Sequence, residues 1–316
     1  MCGLFGFTVY GTKPIKDLED ITDALSKESA ERGTDAVGIA YRKGDRICLM
    51  KESKPSYCVT FKHPDTVKVL IGHTRHATQG KADKLYNNHP FFGATPTARF
   101  ALAHNGIITN DEALRELKGL PQTKIETDSY VAVQLLEKQN AVCAQTIASM
   151  AEQIEGSYSF SILDEHDRLF LVKGDSPLAV LHFPREKMYV YASTEEILWR
   201  ALIGTPLFKS IKDGVVEPIP IERGDILTID ADGSLKTTHF KVKERVLPMY
   251  PRYPFGYYGT LLDEDDEDGY REYLDDLRAF AESEGVRSAD VDKMLGMGFA
   301  PEEIEEYLYE SCGAEI

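Results

Sequence analysis

The sequence predicts an α+β fold built on stacked β-sheets, followed by a small helical, acidic C-terminal region. Three observations carry that reading. Short apolar or alternating runs bounded by Gly, Pro or Asp recur through residues 1–245. Some lie side by side as hairpins and others alternate with helical patterns, which disfavours a doubly wound parallel sheet. Charge then divides the chain: residues 1–245 carry 31 Lys+Arg against 33 Asp+Glu, whereas residues 246–316 carry 5 against 19. The net charge of −16 belongs almost wholly to the last 71 residues.

The elements follow in chain order. A strand is expected at 3–9, directly behind Cys2. Ile15, Leu18, Ile21 and Leu25 recur at helical spacing and predict a helix over 15–31. Strands come next at 36–42, 46–51, 68–73 and 98–104. Val131, Val133, Leu135 and Leu136 predict a helix over 127–139, with Thr127 or Asp128 as its cap. A further helix covers 142–153. Strands at 157–163, 168–173, 178–183, 188–192 and 225–230 complete the body. Trp199, the sole tryptophan, follows Ile197 and Leu198 in a helical pattern and is expected in the core.

A boundary falls near 245, giving a body over 2–245, a Pro/Tyr-rich and acidic linker over 246–268 and a helical region over 269–316. Pro248, Pro251 and Pro254 recur every three residues, which aligns them along one edge of a polyproline II helix. Six consecutive acids run from Asp263 to Asp268. Helical patterns resume at 270–283, 289–296 and 301–310, and Tyr270, Tyr273, Leu274, Leu277 and Phe280 share one face of the first.

Composition removes several function classes. With 42% hydrophobic and 28% charged residues, the 316-residue chain is ordinarily globular. Apolar runs of four to eight residues are too short for a membrane span. The net negative charge argues against nucleic-acid binding. The start, MCGLFGF, lacks the basic and apolar regions of a signal peptide. Five scattered cysteines without a Cys-x-x-Cys pair disfavour a disulfide framework or zinc ribbon and fit a reducing cytoplasm. The histidines show no paired metal spacing, and no phosphate or dinucleotide glycine loop occurs, so neither metal nor cofactor is expected.

Cys2 is the most informative residue. Loss of Met1 would leave a thiol and an α-amine on one residue. Such an amine titrates near ~7.7–8.0, so it can take the thiol proton and return it to a leaving group. Downstream, GHTRHATQG at 72–80 sets Arg75, His76, Thr78 and Gln79 on what should be a loop behind a strand ending at Ile71. His89, HNGII at 104–108 and ETDSY at 126–130 follow. Asn105-Gly106 offers a side-chain amide beside an unhindered backbone N–H, as an oxyanion site requires. Arg75 can grip a carboxylate bidentately and Asp128 can bind an ammonium. Together these describe a site for an amino acid with a carbonyl side chain.

Cys2-Gly3-Leu4-Phe5-Gly6, ERGTDAVGIA, GHTRHATQG, HNG and ETDS, in that order, resemble the class II glutamine amidotransferases, closest to the glucosamine-6-phosphate synthase branch. GSYSFSILDE, GDSPLAV, YVYASTEEIL and IERGDILTID also match in order, so the resemblance covers roughly residues 2–240. It implies the family's four-layer αββα sandwich of the N-terminal-nucleophile hydrolase type. Cys2 resembles the nucleophile that forms a γ-glutamyl thioester from L-glutamine and releases ammonia, with its own amine as base. Asn105 and Gly106 match the oxyanion hole. Arg75 matches the residue holding the substrate carboxylate, and Asp128 the one holding its amino group. Thr78 and Gly106 sit where the family lines the glutamine pocket. Arg32 matches an arginine near the nucleophile, and His89 a site-proximal position with a bracing role as its alternative.

Two positions depart from that branch. His76 stands where it has a tryptophan that helps close the site and gate ammonia, and Gln79 stands where it has histidine. Hydrolysis is expected to survive both changes, whereas substrate closure and ammonia channelling are the two properties that they leave open. No fused synthase domain is expected after residue 245, so the ammonia acceptor should be a separate synthase or ligase; a homo-oligomer is the other association expected. An amidohydrolase for another amide and a non-catalytic scaffold acting through the acidic tail are the rival readings.

Overall fold

A computed structural model describes residues 2–243, 274, 275, 277–279, 281, 282, 286–296, 301, 304 and 308. The chain divides into two compact units, Met1–Arg245 and Val246–Ile316.

The first unit holds two antiparallel sheets. One has seven strands in the order β11-β9-β10-β1-β4-β2-β3, and the other six in the order β13-β12-β8-β7-β6-β5. The first sheet comprises β1 (Gly3–Val9), β2 (Ala36–Lys43), β3 (Arg46–Glu52), β4 (Val69–Arg75), β9 (Ala179–Phe183), β10 (Met188–Ala192) and β11 (Glu217–Ile219). The second comprises β5 (Phe91–Ala94), β6 (Arg99–Ile108), β7 (Gly156–Asp164), β8 (Leu169–Lys173), β12 (Asp225–Ile229) and β13 (Leu235–His239). The helices of this unit are α1 (Leu18–Glu28), α2 (Asp111–Lys118), α3 (Tyr130–Glu137), α4 (Ala144–Ala151), α5 (Glu195–Leu202) and α6 (Phe208–Lys212).

Side-chain alternation along the strands stacks these elements in four layers. On β1, Phe5, Phe7 and Val9 join Leu18, Ile21 and Leu25 of α1 and Ile197, Leu198 and Leu202 of α5 in one core. Leu4 points the other way, into a core shared with Val69 and Ile71 of β4, Ala101 and Ala103 of β6 and Leu169 and Leu171 of β8. The opposite faces of those strands, with Phe100, Leu102, Phe160, Phe170 and Val172, pack on Val131, Leu135, Ile147 and Met150 of α3 and α4. Every central strand is covered on both sides, so its residues read as near-continuous apolar runs. The result is the helix–sheet–sheet–helix sandwich expected from the resemblance.

Several local expectations are corrected. β4 runs to Arg75, because Thr74 pairs with Gly3 and Arg75 with Ala36; the first four residues of GHTRHATQG are therefore strand, and the loop starts at His76. α3 begins after Ser129 without a side-chain cap, because the Asp128 carboxylate is engaged elsewhere. Trp199 is 36% exposed on α5, whose buried face is Ile197, Leu198, Ala201 and Leu202. β5, β11, β13, α2 and α6 were not expected.

The second unit contains α7 (Ser288–Gly296), with Val291 buried against Leu277, Ala281, Ile304 and Leu308. Arg278 pairs with Asp275 and Asp292, and Arg287 with Asp290. The prolines at 248, 251 and 254, the acidic run 263–268, Tyr270, Tyr273 and Phe280 lie outside the described residues. Among the described residues, no helix is long and apolar enough to cross a membrane.

Candidate active site

The site forms where β1 begins, between β4 and β10. Leu4 donates its N–H to Ser193 Oγ at 2.8 Å, and Ser193 returns its own N–H to the Leu4 carbonyl at 2.9 Å. A Cβ on Gly3 would meet Thr74 Oγ1 at 2.6 Å, so a residue without a side chain lets β1 and β4 close at this point. Cys2 is thereby brought beside the end of β4. Its Sγ lies 3.4 Å from both the backbone nitrogen and the carbonyl oxygen of His76, and its carbonyl accepts Arg32 Nε at 2.8 Å.

Burial pushes the Cys2 thiol above its usual range, against the opposing pulls of the His76 N–H and the Arg75 charge. Desolvation penalises the thiolate more than these neighbours favour it. The resting sulfur is therefore a neutral thiol, and a base must remove its proton when it attacks.

Arg75 closes β4 with 3% exposure. Its Nη1 donates to Asn88 Oδ1 at 2.6 Å, and its Nη2 to the carbonyls of Gln79 and Gly80. The guanidinium thus folds the 76–80 loop back on itself. Asp35 holds the same loop from outside by accepting the Ala77 N–H at 2.7 Å. Asp128 is 4% exposed; its Oδ2 accepts the Ile108 N–H at 2.6 Å, and its Oδ1 accepts the Ser129 hydroxyl at 3.3 Å. This engagement is why it does not cap α3.

Asn105 and Gly106 lie within β6, opposite Ser159 and Tyr158. Asn105 Nδ2 reaches Ser193 Oγ at 3.5 Å, which ties the amide to the start of β1. Gly106 has φ +135, and a Cβ there would sit 2.0 Å from the Ser157 carbonyl oxygen. Both backbone conformation and space demand glycine.

Cys2, Arg75, His76, Thr78, His89, Gly106 and Asp128 line one cleft, joined by Gln79, His104, Thr127 and Ser129. Arg32 and Asn105 stand beside it, through the contacts just given. The cleft holds about 10 Å³, room for one water molecule. A larger cleft of about 530 Å³ runs along 177–180 and 218–222; it shares Ser193 with the site but contains none of the expected chemical groups.

His89 is a buried residue of the cleft; its ring lies 4.1 Å from that of His73 and 4.4 Å from that of Phe91. His104, Thr127, Ser129 and Ser193 were not singled out as site residues by the sequence. Only their place in HNG, ETDS and YAST pointed toward the site. Among the described residues, no group of three His, Cys, Asp or Glu side chains could hold a metal ion.

Residues 73–200 match the family model of the glutamine amidotransferase domain. The chain is 33% identical over 188 residues to glutamine–fructose-6-phosphate aminotransferase (isomerizing) of Shouchella clausii, covering 57% of this chain and 30% of that protein. It is 31% identical over 252 residues to the enzyme of the same name from Staphylococcus aureus strain Mu50, covering 74% and 38%. The chain thus spans roughly a third of the length of these curated relatives. In fold it is similar to glutamine phosphoribosylpyrophosphate amidotransferase from B. subtilis, with a TM-score of 0.60 at 22% identity over 77% of this chain and 50% of that one. Sandwich, motif order and family match agree: the chain carries a class II glutamine amidotransferase domain.

Proposed function

We propose that this protein hydrolyses the side-chain amide of L-glutamine to glutamate and ammonia, with Cys2 as the nucleophile. The observation that carries the reading is the convergence of Cys2, Arg75, Asp128 and Gly106 on one cleft. A nucleophile, a cation for a carboxylate, an anion for an ammonium and an unhindered N–H donor are the four groups that an amino-acid amide requires.

With Met1 removed, the Cys2 α-amine takes the thiol proton as sulfur attacks the amide carbon. Charge developing on the carbonyl oxygen meets Asn105 Nδ2 and the Gly106 N–H. The proton then passes to the amide nitrogen, the carbon–nitrogen bond breaks, and ammonia leaves a γ-glutamyl thioester on Cys2. Water, deprotonated by the same amine, attacks the thioester, releasing glutamate and restoring the thiol. Arg75 and Asp128 hold the substrate's α-carboxylate and α-ammonium, Thr78 and His76 border the side chain, and Arg32 fixes the Cys2 carbonyl.

Arg75 acts twice in this scheme. Three of its N–H groups hold the 76–80 loop and Asn88, so the cation is oriented before substrate arrives. The ammonia is passed to a separate acceptor synthase or ligase, which would copurify with the protein and depend on it for use of glutamine. Cys2→Ala tests the core of the proposal: glutamine hydrolysis should vanish while the circular dichroism spectrum and melting temperature stay unchanged. Undiminished turnover would remove Cys2 from the mechanism.

A further inference from the structure

Asn88 lies behind the cleft, not in its wall, and is 1% exposed. It stands between two cations from neighbouring strands. Its Oδ1 accepts Arg75 Nη1 at 2.6 Å, and its backbone carbonyl accepts Lys51 Nζ, also at 2.6 Å. Its Nδ2 donates to the Ala82 carbonyl at 2.8 Å and to Ser53 Oγ at 3.4 Å. Ser53 gives its own hydroxyl proton to the same Ala82 carbonyl at 2.6 Å, so towards Asn88 it can only accept. These two acceptors settle which way the amide faces: nitrogen towards Ser53 and Ala82, oxygen towards the guanidinium.

The partners of the two cations are all neutral. Arg75 donates to oxygens of Asn88, Gln79 and Gly80, and Lys51 to the carbonyl of Asn88. Asp35, Asp128 and Glu126 act on Arg75 through space, without an ion pair among the described residues. A buried charge is ordinarily paired with an opposite one. Burial accordingly pulls both Arg75 and Lys51 below their usual ranges. Aspartate has nearly the shape of asparagine and would supply the missing negative charge at position 88. The chain instead places an amide there.

Resting on the glutaminase reading, we propose that Asn88 is a positioning residue that determines specificity for the substrate's α-carboxylate. It orients the Arg75 guanidinium with a neutral oxygen and leaves the positive charge for an anionic group of the substrate. A carboxylate at 88 would compete with the substrate for the same guanidinium. With the amide in place, the incoming carboxylate is the first anion to pair with Arg75, in a buried setting that strengthens the pair. N–H groups of Arg75 not used by Asn88, Gln79 and Gly80 remain to receive it. Asn88 touches no reacting atom, and its effect passes through Arg75.

Kinetics with a substrate and a competitor that differ only in that carboxylate test this. In Asn88→Asp, KM for L-glutamine should rise about tenfold or more while kcat stays within about twofold, because the lost interaction is equal in ground and transition states. The competitor is 4-aminobutanamide, which keeps the amide and amino groups of glutamine and lacks the α-carboxylate. Its inhibition constant should move by no more than about twofold, since it does not use the Arg75 charge. Asn88→Ala removes the orienting oxygen without adding charge and should raise KM for glutamine about three- to tenfold, again sparing the competitor. Melting curves accompany both variants, and the alanine variant decides if the aspartate variant does not fold. Equal weakening of glutamine and 4-aminobutanamide would mark a merely structural residue and overturn the proposal, as would an unchanged KM in folded variants. Wild-type protein that does not hydrolyse glutamine would defeat the glutaminase reading and this proposal with it; active wild type with either of those variant results overturns the proposal alone.

Discussion

Gln79 Oε1 accepts the backbone N–H of Asp128 at 3.1 Å, so the loop behind β4 is latched to the segment that carries the site's buried carboxylate. Gln79, one of the two positions that depart from the glucosamine-6-phosphate synthase branch, therefore braces the cleft that it also lines. It sets the distance between the cation at Arg75 and the anion at Asp128 without bearing charge. Removing it should loosen that spacing and leave the nucleophile untouched. Gln79→Ala is expected to raise KM for glutamine about three- to tenfold, the scale of one net hydrogen bond, with kcat within about twofold. Steady-state glutaminase kinetics check this, and a collapse of kcat at unchanged KM would contradict it.

Gly106 carries a sharper expectation. Any side chain must be held at φ +135 with its Cβ 2.0 Å from the Ser157 carbonyl. Gly106→Ala should force β6 and β7 apart at the site, destabilising the body by roughly 2 kcal/mol or more and abolishing turnover. Urea unfolding followed by circular dichroism gives the first quantity and an ammonia assay the second. Wild-type stability in the variant would show that the strand pairing is not as tight as described.

Lys51 connects the site to pH. Its Nζ donates to the Asn88 carbonyl at 2.6 Å and lies 5.1 Å from the Phe91 ring, while Asn88 Oδ1 holds Arg75. Burial lowers Lys51 from 10.5 to about 8. Below pH 8 both folded and unfolded chains carry this proton, and the penalty for burying the charge is fully present. Between about 8 and 10.5 the unfolded chain binds more protons at this position, so the penalty is relieved and stability rises with pH. Wild-type protein should therefore gain stability relative to Lys51→Met as pH moves from 7 to 10. Paired unfolding curves at several pH values test it; a constant difference would contradict the burial of a charged amine.

Much of the fold was legible because the central strands are long and apolar on both faces. β1, β2, β7 and β12 announce themselves in this way. β11 escaped notice because it is three residues long, with Pro218 in its middle, and β13 because Lys236, Thr237 and Thr238 give it no apolar alternation. α2 has only Asp111 and Leu114 buried, too little for a hydrophobic period to appear. β4 extends past its apolar run because Gly3 and Ala36 pair with its last residues, and pairing across 39 to 71 positions leaves no local trace.

The site shows the same division. Its chemical groups were readable from residue type and motif order, and they do border or adjoin one cleft. Their supports were not. Ser193 lies 88 residues from Asn105, and an ordinary serine after a strand carries no sign that it will meet an amide from another sheet. His104 and Ser129 lie inside their motifs, but the hydrogen bonds that make them partners exist only once β6 and the start of α3 are adjacent.

The account depends on the sulfur and amine of Cys2 acting together at this cleft. Intact-mass and peptide-mass measurement of active protein after treatment with a diazoketone analogue of glutamine tests that most directly. One adduct per chain, located on an N-terminal Cys2 with Met1 gone, is the predicted result. Active protein that keeps Met1, or an adduct on any other residue, would contradict it.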